Sequence, residues 1–418
     1  MIFLRYARNR LRAFLEQIQR LLDSEFPYPQ SSEAIADLEQ SFKAELHLLD
    51  SFSEHSDVET VKQECVLALS LCFENLPVLG FLLRSTNVRN AFEAFWPLFR
   101  LAREALEPAV PEKDRRTRLV LSSEWDYSPL TYPSIQHLPS FVLIGLPAPE
   151  SENPLLLPLA GHELGHSLWL KKDLKNAFLA PIKTAIIDSI KKNWGSYRQV
   201  FSEVSDDQNA LTSDQRALES WAPAVPWALH QAQETFCDFV AIRLFGRAYL
   251  SAFAYLLSPN NEGQRSEFYP SMITRVANMV SAATEFNVDH PSEYEELFQD
   301  DSEPYLVPAD TFRLSRADDA LACIVHDLAL KAGEMIADTS IVLPTRKEVR
   351  RIANHLRKVR PAERTKSLAD ILNAAWLLSE DDKLWLNSPQ LSSKRDRILR
   401  ELVLKNVEVF EIEQRLGA

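Results

Sequence analysis

Two histidines stand four residues apart around a glutamate, in the order His162-Glu163-Leu164-Gly165-His166. On a helix, residues i and i+4 lie one above the other on the same face. Two imidazoles so placed can hold one Zn2+, each through a ring nitrogen at about 2.0–2.1 Å. Glu163 lies ~100° round the helix from His162, close enough to reach a water on such a metal without being a ligand. This is what metal-assisted hydrolysis requires: the metal acidifies a water, the carboxylate takes its proton, and the metal polarises the carbonyl under attack. A chain of this length carries the five-residue pattern by chance on the order of once in a hundred cases, so its surroundings decide.

Those surroundings are apolar. The motif sits in LAGHELGHSLWLKK, and a surface helix has no use for Leu155 to Leu159, Leu164, Leu168 and Trp169 around it. A His–Glu pair in such a helix is costly to bury unless it is paired or bound to a metal. A hydrolytic zinc needs a third protein ligand and an open fourth position. The extended motif with a following glycine and third histidine fails, because those positions hold Trp169 and Lys172, and the inverted HxxEH form is absent. The next source of a carboxylate is Glu234-Thr235-Phe236-Cys237-Asp238, within the apolar tract 226–257. Asp238 falls one turn after Glu234 on the same face. There it can accept a hydrogen bond from the non-ligating nitrogen of His162 or His166. Cys237 is an alternative donor, although packing as a small apolar residue is the plainer reading.

HELGH followed by a helix bearing ExxxD resembles the gluzincin, or thermolysin-like, branch of the zincin metallopeptidases, over roughly residues 118–285. The resemblance implies one Zn2+ held by His162, His166 and Glu234, with Glu163 as general base and Asp238 supporting a ligand histidine. It implies hydrolysis of peptide bonds in a protein or peptide substrate. It also implies an edge strand that pairs with an extended substrate, here Ser140–Leu146. Gluzincins often use a downstream tyrosine or histidine to stabilise the tetrahedral intermediate. Tyr269-Pro270-Ser271, followed by Arg275, is similar to a His-Pro-Ser…Arg element of some members, with tyrosine replacing histidine. Tyr269 is therefore favoured for that role over His230 and His290. This chain departs from the family in placing 67 residues between His166 and Glu234. Peptide deformylases also carry HExxH, with an upstream cysteine ligand, but no cysteine lies between Cys72 and the motif. Two alternatives stay open: a zinc-dependent amide hydrolase acting on a small substrate, and a non-catalytic zinc-binding regulatory protein.

The elements that must position these residues read as mainly α, an α+β protein with a zincin-like core and a small sheet. Nine glycines and 24 prolines in 418 residues favour helices with defined loops over a β-sandwich. Apolar residues recur at helical spacing near 8–23, 33–50, 58–83 and 88–107, with breaks expected at 27–32 and around Leu76–Gly80. Pro108–Arg116 reads as a linker. Arg118–Ser122 and Ser140–Leu146 read as strands. Asn153 is placed to cap the turn before the HExxH helix, and Thr212 with Gln215 to form a capping box. Gly246 marks a break within 226–257, and 271–286, 309–338, 345–358, 365–379 and 393–415 read as helices. The resulting organisation is an N-terminal helical region 1–107, a core 118–288 with a helical insertion 171–225, and a C-terminal helical region 289–418.

A net charge of −13 disfavours a nucleic-acid partner. The four cysteines, Cys65, Cys72, Cys237 and Cys323, form no CxxC pair, which argues against a disulfide scaffold and for reduced thiols in the cytoplasm. The N-terminal MIFLRYARNRLRAFLEQIQRLL lacks the features of a secretory signal. No run approaches ~18 uninterrupted apolar residues, so no transmembrane segment is expected. The helical flanks are the expected seat of any regulatory partner.

Overall fold

The computed structural model describes residues 2–53, 55–85, 91–124, 130–132, 138–147, 150, 152–258, 265–300 and 306–417. Among the described residues the protein is mainly helical with a small sheet, and it divides into two compact units. The first comprises Met1–Arg103 and Val110–Glu152; the second comprises Glu104–Ala109 and Asn153–Ala418.

In the first unit, α1 (Ile2–Leu22), α2 (Pro29–Ser51) and α3 (Val58–Arg84) pack on one another, and α4 (Ala91–Leu106) begins there. The burial follows the helical period. Leu4, Ala7, Leu11 and Ile18 are buried on α1; Ala34, Ile35, Leu38, Phe42 and Leu49 are buried on α2. By length and composition α3 is apolar enough to cross a membrane, with mean hydropathy 2.0 over its most apolar window. It packs against α1, α2 and β1, 41% of that window is buried, and Val58, Val66, Leu67, Phe73, Leu76 and Leu83 are exposed. The break expected around Leu76–Gly80 does not occur. Pro77 lies inside α3, and the helix continues to Arg84.

The sheet consists of β1 (Arg118–Glu124), β2 (Leu130–Tyr132) and β3 (Phe141–Pro147), in the order β1-β3-β2. Strand β3 pairs parallel with β1, Arg118 opposite Phe141, and antiparallel with β2, Leu130 opposite Gly145. This corrects the expectation of an edge strand at Ser140–Leu146. Strand β3 is the middle of the three, so its central backbone groups are hydrogen-bonded on both sides and offer no free ladder to a substrate. Its near-continuous burial is the signature of such a strand.

The second unit is built around α9 (Ala224–Phe245), which is buried on nearly every side. Around it lie α5 (Ala160–Lys171), α6 (Leu174–Lys192), α10 (Arg247–Leu257), α11 (Met272–Glu285), α12 (Pro308–Ala337) and α14 (Leu368–Ser379). Helices α7 (Trp194–Val200), α8 (Gln215–Trp221), α13 (Arg346–Arg357), α15 (Pro389–Ser392) and α16 (Arg395–Leu416) complete it. Asn153 accepts a hydrogen bond from Leu155 N and caps the 3-10 turn Pro154–Leu159 that leads into α5. The cap of α8 is Asp214, whose carboxylate accepts from Ala217 N at 2.8 Å, rather than the expected Thr212. The helix begins two residues later than a cap at Thr212 would require, and Asp214 is itself a strong capping residue.

Candidate metal centre

Helix α9 is apolar all round, so its polar residues must find partners inside the protein. Two glycines let them do so. A Cβ on Gly161 would lie 3.1 Å from Ala241 Cα, and a Cβ on Gly165 would lie 2.7 Å from Cys237 Cα. Helices α5 and α9 thus meet almost backbone to backbone, which brings the α9 carboxylates within reach of the α5 histidines.

Glu234 lies between the two imidazoles. Its Oε2 is 3.2 Å from His162 Nε2 and its Oε1 is 3.7 Å from His166 Nε2. Asp238 takes the other side of His162, with Nδ1 2.8 Å from Oδ1. The Nδ1 of His166 is 2.9 Å from Gln233 Nε2. Each ring therefore uses Nδ1 for orientation and turns Nε2 toward the carboxylate of Glu234. His162 and Glu163 are buried, and Glu234 and His166 have side chains 13% and 12% exposed.

Asp238 is the best-partnered acid here. Arg275 donates to it through Nε at 2.7 Å and Nη2 at 2.9 Å, and the Tyr249 hydroxyl donates at 2.6 Å. Burial alone would raise its pKa, but the Arg275 charge and the hydrogen bonds from Arg275 and His162 hold the carboxyl well below the usual range. Tyr249 reaches this point because the chain breaks at Gly246, whose φ of 59° and ψ of −138° are open essentially to glycine alone. Asn373 brackets the break: its Oδ1 accepts from Ala248 N, and its Nδ2 donates to Phe245 O. Arg275 is carried by α11, whose first turn is capped by Ser271.

The charges are coupled. Burial opposes protonation of His162, but its hydrogen bonds to Asp238 and Glu234 outweigh this and raise it to about 10. Burial lowers His166 to about 4, against the pull of Glu234. Burial pushes Glu163 up to about 7, with His162 opposing.

No family model, curated protein or solved structure matches this chain.

A second donor stands near the histidines. Ligand atoms of His162, His166 and Cys237 all lie within 4.8 Å of one another, so the buried group could hold a metal ion. The remaining sequence candidates are placed as follows. Tyr269 is 38% exposed, and the Arg275 guanidinium lies 5.5 Å from its ring centroid. His230 is exposed and meets the Phe268 ring edge-on at 5.0 Å. His290 is exposed, with Nδ1 3.0 Å from Pro291 O. Sequence reasoning assigns no role to Tyr249 or Gln233, and to Arg275 only its place in the Tyr269-Pro270-Ser271…Arg275 element. Gln233 adjoins Glu234 in a buried helix, and that adjacency was the available signal. Tyr249 carried none, because only the turn at Gly246 brings it back to Asp238.

Proposed function

We propose that this chain is a zinc-dependent metallopeptidase, with His162, His166 and Glu234 as ligands and Glu163 as general base. The observation that carries the reading is the spacing of the donor atoms. Two ligands at about 2.05 Å on a tetrahedral ion lie about 3.3 Å apart; here His162 Nε2 is 3.2 Å from Oε2 of Glu234 and His166 Nε2 is 3.7 Å from its Oε1. The donor set also suits the metal chemically: two imidazoles with supported Nδ1 atoms and one carboxylate, leaving a position open for hydrolysis.

A bound zinc would supply Lewis acidity toward a substrate carbonyl and would acidify water. The chain's own residues do the rest. Asp238, held by Arg275 and Tyr249, accepts a hydrogen bond from Nδ1–H of His162 and fixes that ring with Nε2 facing inward. Gln233 does the same for His166 once its amide oxygen is turned toward Nδ1; amide nitrogen and oxygen exchange by a simple flip. Glu163 is buried and titrates near neutrality, which suits a group that takes a proton from water and returns it to the leaving amine. Tyr269, beside Arg275, is the group assigned to the developing oxyanion.

Cys237 favours a second reading, a closed and non-catalytic metal site in which the thiol is a donor. Burial and the neighbouring carboxylates Glu234 and Asp238 push its thiol up, and a bound cation would draw it down again. One ligand atom from each of His162, His166 and Cys237 lies within 4.8 Å of the other two. The test is hydrolysis of a mixed peptide library, read by mass spectrometry. Wild type should generate new termini, and Glu163→Gln should retain its metal while losing at least about a thousandfold in rate. Undiminished cleavage by Glu163→Gln would reject the mechanism.

A further inference from the structure

Folding of the second unit accounts for one face of α13 and not for the other. Glu348, Ile352, Ala353 and Leu356 are buried, and the helix packs against α14 and α16. The opposite face carries Arg346, Lys347, Arg350, Arg351, Arg357 and Lys358, with Asn354 among them. Residues 346–366 hold nine Lys and Arg against Glu348 and Glu363, in a chain whose net charge is −13. Arg346, Arg351 and Arg357 meet the carboxylates of Asp289, Glu348 and Asp381. Among the described residues no ion pair involves Lys347, Arg350, Lys358, Arg360 or Lys366, all of them exposed. Helix stability does not explain these cations. Arg346 and Lys347 open the helix, where its dipole repels positive charge. Arg346 with Arg350, and Lys347 with Arg351, are like-charge pairs at i, i+4. Such a face lowers the stability of the helix unless negative charge covers it.

Exposed aliphatic side chains stand at both ends of it. At the N-terminal end, Arg346, Arg350 and Leu377 line a depression of about 210 Å³, and Leu377 is 38% exposed. At the C-terminal end, Val359 is 41% and Leu386 63% exposed. There Trp385 Nε1 donates to Arg357 O at 2.8 Å, which holds Leu386 close to the end of the helix. Val359 follows α13 at a φ of 57°, a place that glycine usually takes and a β-branched residue reaches only under strain. We propose that this face of α13, with Val359 and Leu386, docks the chain reversibly on a bilayer of anionic lipid. Lipid phosphates and carboxylates meet the cations, and the aliphatic side chains enter the boundary between headgroups and acyl chains. The phosphates of a nucleic acid satisfy the cations alone. They leave Val359 and Leu386 in water, and no described Phe, Tyr or Trp between residues 344 and 388 is exposed to stack on a base. Negative charge over the rest of the chain turns its other faces away from an anionic surface. Docking of this kind is independent of the metal centre and of any hydrolysis.

The test is sedimentation of the full-length protein with vesicles of phosphatidylcholine alone and of phosphatidylcholine with phosphatidylserine. Binding should be at least about tenfold tighter where phosphatidylserine is present, and sodium chloride at ~1 M should release the protein. Each Lys or Arg at an anionic surface is worth about fivefold in affinity. The variant with Lys347→Gln, Arg350→Gln, Lys358→Gln and Arg360→Gln should therefore bind these vesicles at least about a hundredfold more weakly. Its urea midpoint should be no lower than that of wild type, because like charges leave the helix. Val359→Gly with Leu386→Ser keeps every cation and should weaken vesicle binding by about tenfold. Equal binding of wild type to the two kinds of vesicle, or binding that neither variant weakens, would overturn the assignment. Tighter binding to a DNA duplex or to poly(U) than to the phosphatidylserine vesicles would overturn it in favour of a nucleic acid. Tighter binding to polyglutamate would overturn it in favour of an acidic protein segment.

Discussion

Asp238 accepts from three side chains at once, and the balance of its partners governs His162. A buried carboxylate without donors would be protonated, and His162 would lose the acceptor that fixes its ring. Removing the tyrosine donor with Tyr249→Phe leaves Arg275 in place and the volume almost unchanged. It should weaken zinc binding by about tenfold, and Asp238→Asn by about tenfold to a hundredfold. Competition with a chromogenic chelator measures both, and an unchanged affinity in Tyr249→Phe would show that Arg275 alone suffices. At this scale the sequence revealed the residues with distinctive chemistry and not their supporters. The HExxH spacing and an acid in an apolar helix pointed to His162, His166, Glu234 and Asp238, and the geometry brings these four together. Gln233 and Tyr249 are ordinary residues whose roles come from tertiary placement, which no local pattern encodes.

The close approach of α5 and α9 depends on Gly165. Alanine there would gain about 1 kcal/mol of helix propensity, but its Cβ would stand 2.7 Å from Cys237 Cα, a backbone atom that cannot swing aside. Overpacking costs typically ~1–3 kcal/mol and pushes the helices apart, so the clash wins. Gly165→Ala should lower the denaturation midpoint and reduce zinc content together. A variant with full stability and full zinc would refute this role of the seam. Gly246→Ala should cost ~1–3 kcal/mol through backbone strain alone, read by urea denaturation. Helices were the most legible elements. Their apolar spacing placed α2, α11, α12, α13 and α16 within a few residues of where they lie, and Gly246 announced the break between α9 and α10. Two local readings failed for physical reasons. Pro77 does not end α3, because a proline costs one backbone hydrogen bond and a clash that a long packed helix can absorb. Strand β3 was legible as a buried strand, but whether it was central or edge depended on β2, a three-residue strand with little sequence signal.

For the whole molecule, α3 poses the main question of setting. Its length and apolarity satisfy a membrane span, yet Val61, Cys65, Ala68, Leu71, Asn75, Val78 and Leu82 are buried at helical spacing against its own unit. Asn75 on that face donates to Leu71 O at 2.8 Å, while Val66, Leu67, Phe73, Leu76 and Leu83 lie exposed on the rest of the helix. If α3 packs only within its own unit, the protein leaves membranes in alkaline carbonate and appears in the supernatant. Retention in the pellet would instead make α3 a membrane helix and recast the first unit as an anchor.

The central claim is that a carboxylate from α9 completes a metal site begun on α5. Elemental analysis of purified protein, with Glu234→Ala and Cys237→Ala beside wild type, tests it most directly. The account requires about one zinc per wild-type chain, little or none in Glu234→Ala, and a full complement in Cys237→Ala. Zinc that persists in Glu234→Ala and disappears in Cys237→Ala would contradict it.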